Sequence, residues 1–87
     1  GAMENQAPVA NFELKTDGLS VSAFNYSHDE DGELVSYAWD FGNGQMSSEM
    51  APSWSYTRAG QYTVSLTVTD DKGATNTTTR TTQVEVP

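Results

Sequence analysis

Residues 37–44 read Tyr-Ala-Trp-Asp-Phe-Gly-Asn-Gly, and this run narrows the fold more than any other in the chain. Tyr37, Trp39 and Phe41 stand at alternate positions, which puts three large rings on one face of an extended strand. The Gly42-Asn43-Gly44 run follows at once and supplies a tight corner. The prediction is a core strand that ends in a sharp turn. A second stretch repeats the pattern: Tyr62, Val64, Leu66 and Val68 alternate with Thr63, Ser65, Thr67 and Thr69. That is a half-buried strand with a polar outer face, expected to sit centrally.

The rest of the chain is punctuated in the same way. From Ala7 onward strands are separated by turn signals at short intervals and no window shows a helical period, which predicts an all-β sandwich of two antiparallel sheets with about seven strands. The first strand is expected over Val9 to Leu14, with Ala10, Phe12 and Leu14 on one face. Asp17-Gly18 turns it into a second, Leu19 to Asn25, where Leu19, Val21 and Ala23 share a face. By parity Phe24 and Tyr26 point the other way. An acidic loop, Ser27 to Glu33, leads into Leu34 to Phe41. A short strand at Gln45 to Ser48 follows, then Trp54 to Thr57, placed near an edge because Pro52 ends pairing on its amide side. The last strand, Ala74 to Val86, is rich in threonine and weakly specified in register until Val84 and Val86. Gly60-Gln61-Tyr62 has the form of a tyrosine corner, in which the phenol bonds back to the turn between two strands of an immunoglobulin-like sandwich; a plain core tyrosine is the alternative.

Eighty-seven residues make one domain near the lower limit for an unaided core, and no cysteine is present to staple it. Aromatic packing, and a bound ion where there is one, must then supply stability. Gly1-Ala2-Met3 looks like a scar of tag removal and is set apart from a single domain at 4–87. No apolar run reaches the roughly 18 residues that span a bilayer. Twelve acidic against four basic side chains give a net charge of −8, which repels phosphate backbones and anionic lipid heads, so neither nucleic acid nor membrane is an expected partner. Such acidity suits solubility, a salty exterior or cation binding.

Taken together, Asp29 to Phe41 (DEDGELVSYAWDF), the Gly42-Asn43-Gly44 corner, Tyr56 to Val68 (YTRAGQYTVSLTV) and Thr69 to Gly73 (TDDKG) closely resemble a PKD domain, the polycystic kidney disease repeat. The resemblance covers about Ala7 to Val86. It implies an immunoglobulin-like β-sandwich and, in bacteria, an accessory module of secreted proteases, collagenases and chitinases or of cell-surface proteins. Two positions depart from the family pattern. Asn43 stands where Asp is usual and keeps the turn, since Asn also bonds its own backbone and tolerates positive φ. Trp54 stands where His is usual and puts a large apolar ring in place of a modest polar one.

An immunoglobulin-like topology gathers the N-terminus, the loop after the second strand and the loop before the last strand at one end. These segments carry Asn5-Gln6, Asp29-Glu30-Asp31 and Asp70-Asp71. Carboxylates crowded together are best explained by a cation between them, and oxygen donors in irregular loops suit Ca²⁺. The resemblance points the same way, because PKD-like domains of bacterial collagenases carry calcium at this end. The expected ligands are Asn5, a backbone carbonyl near Gln6, Asp29, Asp31 and Asp71. The alternative is that these acids only form turns and cap loop amides.

A second candidate site is a surface of flat rings, Phe24, Tyr26 and Trp54, of the kind that grips sugar rings or a collagen helix; its alternative is packing under a loop or against a neighbouring domain. Trp39 is assigned to the core, and Asp40 to bracing the glycine corner. No catalytic group is expected. His28 is the one histidine, it sits in an acidic loop, and neither a triad nor a zinc site can be assembled around it. Asn25-Tyr26-Ser27 and Asn76-Thr77-Thr78 match the glycosylation acceptor pattern, a short match of low specificity. The reading is a monomeric, non-catalytic accessory domain of a secreted or cell-surface bacterial protein, helping a hydrolase to hold collagen, another protein or a polysaccharide such as chitin. The alternative is a spacer or adhesion module with no ligand but Ca²⁺.

Overall fold

The computed structural model describes residues 7–29 and 32–86, and every regular element in them is a β-strand. In chain order these are β1 (Phe12–Asp17), β2 (Ser20–Asn25), β3 (Leu34–Asp40), β4 (Met46–Ser47), β5 (Ser53–Ser55), β6 (Gly60–Asp70) and β7 (Thr75–Val84). They form two antiparallel sheets, ordered β1-β2-β5 and β4-β3-β6-β7, the expected sandwich of seven strands. β6 lies between β3 and β7, and β5 lies at an edge, as the alternation and Pro52 require. Pro52 itself is buried, and its carbonyl extends the β2–β5 pairing by accepting the Ala23 amide at 3.0 Å.

The inward faces of both sheets meet in one core of Phe12, Val21, Ala23, Trp39, Phe41, Tyr56, Val64, Leu66, Val68 and Val84, with Ala10 at its margin. Trp39 is its largest member; its ring meets Phe12 edge-on at 4.9 Å, and its indole N–H donates to the Glu49 carbonyl at 2.7 Å. A buried tryptophan needs that acceptor, and the β4–β5 loop is pinned by supplying it.

Most strand limits shift by a residue or two from the sequence reading, β5 to Ser53–Ser55 among them, and at β1, β3 and the end of β7 the difference has a consequence. β1 starts at Phe12, because at Val9 the chain makes an isolated bridge with His28 and the Ala10 amide turns to the side chain of Asn76 at 3.1 Å. Register slips by one residue between Leu34 and Ser36, so Leu34 packs on the core while Val35 turns outward at 59% exposure. This bulge lies opposite the end of β6, next to the acidic loops. β7 stops at Val84, and Val86 is 69% exposed instead of completing the core.

At the far end of β3 the corner forms as expected. Gly42 and Gly44 take positive φ, and among the described residues no other type does, so Asn43 contributes by its side chain and not by a left-handed backbone. The Asp40 carboxylate accepts the Gly42 amide at 2.9 Å and the Asn43 side-chain oxygen, Oδ1, accepts the Gln45 amide at 2.9 Å. Gly42 is required twice over, since a Cβ there would stand 2.5 Å from the Thr63 carbonyl oxygen.

Beneath the corner the rings form a continuous column. Phe41 stacks on Trp54 at 3.8 Å, Trp54 meets Tyr56 edge-on at 6.1 Å, and Tyr56 stacks on Tyr62 at 3.8 Å. The Tyr62 phenol donates to the Arg58 carbonyl at 2.8 Å, which makes it a tyrosine corner, and the Tyr56 phenol donates to the Phe41 carbonyl at 2.6 Å. Burial raises the Tyr56 phenol above its ordinary pKa, partly opposed by the Trp54 indole N–H, which is itself buried and makes no full hydrogen bond.

A candidate metal centre and an aromatic face

The β2–β3 loop and the β6–β7 loop meet at the pole opposite the glycine corner. The Asp71 amide donates to the Glu33 carbonyl at 2.9 Å, and the Asp71 carboxylate lies against the backbone of Gly32, where a Cβ would stand 2.5 Å from it. Asp29, Asp70 and Asp71 each present a carboxylate oxygen there, and the three oxygens lie within 4.8 Å of one another. Of the expected ligands, Asp29 and Asp71 are thus brought together. Asn5, Gln6 and Asp31 lie outside the described residues.

Asp70 is the member of this cluster that the sequence reading passed over as a ligand. It is 1% exposed and ends β6 in phase with Val64, Leu66 and Val68, so its side chain turns inward. That alternation was the available signal. Its Oδ1 accepts the Lys72 and Ala74 amides, both at 2.9 Å, and its backbone closes the turn by bonding Ala74 and Gly73. Asp70 is therefore a turn former whatever else it does. Three carboxylates from two cross-bonded loops are hard oxygen donors, and they fit a hard cation of the Ca²⁺ type.

The second candidate site is divided by the structure. Phe24 and Tyr26 are 45% and 57% exposed, with Phe24 opposite Glu13 on the outer face of the three-stranded sheet. Beside them that face is polar: the Ser20 and Ser55 hydroxyls meet at 3.1 Å and those of Ser22 and Ser53 at 3.4 Å. Trp54 is on the other side. It pairs with Val21, which is buried, and its ring is spent in the stack on Phe41, so it does not share a surface with Phe24 and Tyr26. The physical reason is register: the Pro52–Ala23 bond sets β5 against β2 so that position 54 faces inward.

His28 is exposed, but its backbone is fixed by two bonds to Val9 of 2.8 and 3.0 Å. Both glycosylation-pattern asparagines have their amides in use, Asn25 between the Met50 carbonyl and the Ser27 amide, Asn76 on the Ala10 amide.

Comparison with known proteins agrees with the architecture. The profile of the PKD domain family matches residues 5–86. The pre-pro-metalloprotease PrtV of Vibrio cholerae serotype O1 is 63% identical over 84 residues, which is 97% of this chain and 9% of that protein. Collagenase ColA of Clostridium perfringens is 47% identical over 77 residues, 84% of this chain and 7% of that protein. The chain thus spans only a small part of the length of these relatives. Among solved structures, the crystal structure of the PKD1 domain of Vibrio cholerae PrtV superposes with a TM-score of 0.91 at 62% identity, covering 93% of this chain and 100% of that one. A chain from work on the promiscuous specificity of carbohydrate-binding modules of the β-sandwich superfamily gives 0.89 at 36% identity, covering 95% of this chain and 36% of that one.

Proposed function

The chain belongs to the PKD domain family, and from that premise we propose that it is a non-catalytic accessory domain of an extracellular bacterial protease or collagenase, one that helps hold an insoluble polymer near the catalytic domain. The observation that carries this reading is the pair of outward rings, Phe24 and Tyr26, beside a flat serine-lined sheet face. Exposed aromatics contribute large apolar contact at little entropic cost, and hydroxyls at their side match the polar edges of a polysaccharide or of a collagen helix. Trp54 serves that face indirectly, by fixing β5 behind it.

Calcium is the second part of the proposal. Asp29 and Asp71, with Asp70, would hold the ion, joined by Asn5, a carbonyl near Gln6, and Asp31. Its chemistry would be to neutralise the acidic pole and to tie the two loops to the incoming N-terminal segment. The spacer reading is favoured by a different observation, the threonine-covered outer face of β6 and β7, where Thr67 and Thr77 bond each other at 2.8 Å and no large ring projects.

Co-sedimentation of the domain with fibrillar collagen, chitin and cellulose tests the first reading. Binding to one of them that falls about tenfold, equivalent to roughly 1.4 kcal/mol, in correctly folded Phe24→Ala or Tyr26→Ala is the expected result. Binding to none, or binding indifferent to both substitutions, would leave the spacer role standing.

A further inference from the structure

We propose that Asn43 is a site of spontaneous covalent modification, at which its side-chain amide is lost as ammonia through a cyclic imide closed by the Gly44 backbone nitrogen. In the first step the Gly44 nitrogen gives up its proton and bonds to Asn43 Cγ while the Cγ–Nδ2 bond breaks, so that ammonia leaves and a succinimide remains. Water then opens the ring at either carbonyl. Opening next to the original side chain gives aspartate; opening at the main-chain carbonyl gives isoaspartate. Asparagine and one water become an acid and one ammonia, with no other reactant.

Three observations single out this residue. Gly44 has no side chain to shield its nitrogen, and no residue other than its chain neighbours comes within 4 Å of where a Cβ would be. Asn43 is exposed in a corner with a positive-φ glycine on each side, outside any strand ladder. Its Oδ1 accepts the Gln45 amide at 2.9 Å, which draws electron density from Cγ, while the contact of its Nδ2 with Gln45 Oε1 is long at 3.4 Å and does little to retain the leaving group. None of the other described asparagines combines these features, although Asn11 is also exposed outside a strand and Asn25 also accepts the amide two residues on. Asn11, Asn25 and Asn76 precede Phe12, Tyr26 and Thr77, and Asn25 and Asn76 are held extended by pairing with Phe12 and Val68.

The two products have different consequences for the fold. Aspartate keeps the acceptor for Gln45 and adds a negative charge. Isoaspartate lengthens the main chain by one methylene between positions 43 and 44 and displaces Gln45, whose carbonyl accepts the Phe41 amide at 3.1 Å. Pairing of β4 with β3 loosens as that bond is lost.

The folded domain held in mildly alkaline buffer at physiological temperature, then digested and mapped by mass spectrometry, tests this. The Asn43 peptide is expected to gain one mass unit and to split into two products, one of them a substrate for an isoaspartyl methyltransferase. Its rate should be at least about tenfold that of the peptides holding Asn11, Asn25 or Asn76. Asn43→Asp should show no such gain. Equal rates at all these asparagines would overturn the proposal, as would modification of Asn43 in urea-unfolded chain but not in folded domain, since the turn would then protect it.

Discussion

The two ends of β3 each fasten a loop to a sheet, and they do it with opposite chemistry. At the corner end the carboxylate of Asp40, the amide of Asn43 and the phenols of Tyr56 and Tyr62 all find hydrogen-bond partners, over a column of stacked rings. At the acidic end the Asp71–Glu33 and Asp70–Ala74 backbone bonds are equally sound, and three carboxylate oxygens lie within 4.8 Å of one another. The first end is complete with what the chain itself supplies. The second is equally closed as backbone and gathers three carboxylates, and that difference is why the proposed cation belongs there and not at the corner.

The largest expected effect breaks the corner end from inside. Trp39→Ala removes the biggest core ring and the anchor of the Glu49 carbonyl, and should cost about 3–5 kcal/mol in urea unfolding, a large share of the stability a domain of this size has. A loss below about 1 kcal/mol would mean that the core does not depend on this strand.

The acidic end is next. Saturating calcium at about a hundred times its dissociation constant should raise stability by about 2.7 kcal/mol over chelator. Asp70→Asn sharpens the comparison, because asparagine keeps the oxygen that accepts the Lys72 and Ala74 amides but not the charge. The variant should lose the calcium increment, its own stability in chelator serving as the reference. An unchanged midpoint of the parent with calcium would place both ends of β3 on the same footing.

Smaller effects separate the two corner glycines. Gly42→Ala meets both a positive φ and the Thr63 carbonyl, for about 2–3 kcal/mol, whereas Gly44→Ala has open space and should cost about 1 kcal/mol. Equal losses would show that the backbone conformation alone matters. Last comes an alkaline effect at Tyr56. Its folded pKa is raised, so the unfolded chain loses the phenolic proton first and binds fewer protons. The contribution is therefore present below the ordinary tyrosine pKa and lost as pH rises through the folded value. Tyr56→Phe should flatten that decline in thermal midpoint above about pH 10, the ordinary tyrosine value, while leaving the neutral-pH slope unchanged.

Alternation made most of this legible. The period-two rows of Tyr37 to Phe41 and Tyr62 to Val68 announced β3 and β6, and the same parity sent Phe24 and Tyr26 outward. Residue chemistry announced the Asp40 brace and the Tyr62 corner. What stayed hidden depends on how strands meet. Trp54 lies in a strand of three residues, too short to show a face, and only its register against Val21 turns it inward. Val35 sits on a bulge that reverses local parity, and Val86 lies past the last pairing of β7. Asp70 carried an inward signal, which was masked by reading it as one of a pair of turn acids. The long-range partners of Arg80, on β7, leave no local trace in the sequence at all.

Arg80 donates from Nε to the Phe12 carbonyl and meets Glu13 at 3.2 Å, so the last strand of one sheet is tied to the first strand of the other. Asn76 does the same two turns of the pleat earlier, on the Ala10 amide. Positions 10 and 12 rise together with 76 and 80, so β1 and β7 run parallel along this seam. A pull that draws the start of β1 and the end of β7 apart loads these links sideways and together, not one after another as in peeling. Resistance to forced unfolding is set by the unfolding rate rather than by equilibrium stability, so Arg80→Ala is predicted to matter more on a force spectrometer than in a urea titration. Under such a load the seam would act as the domain's mechanical clasp.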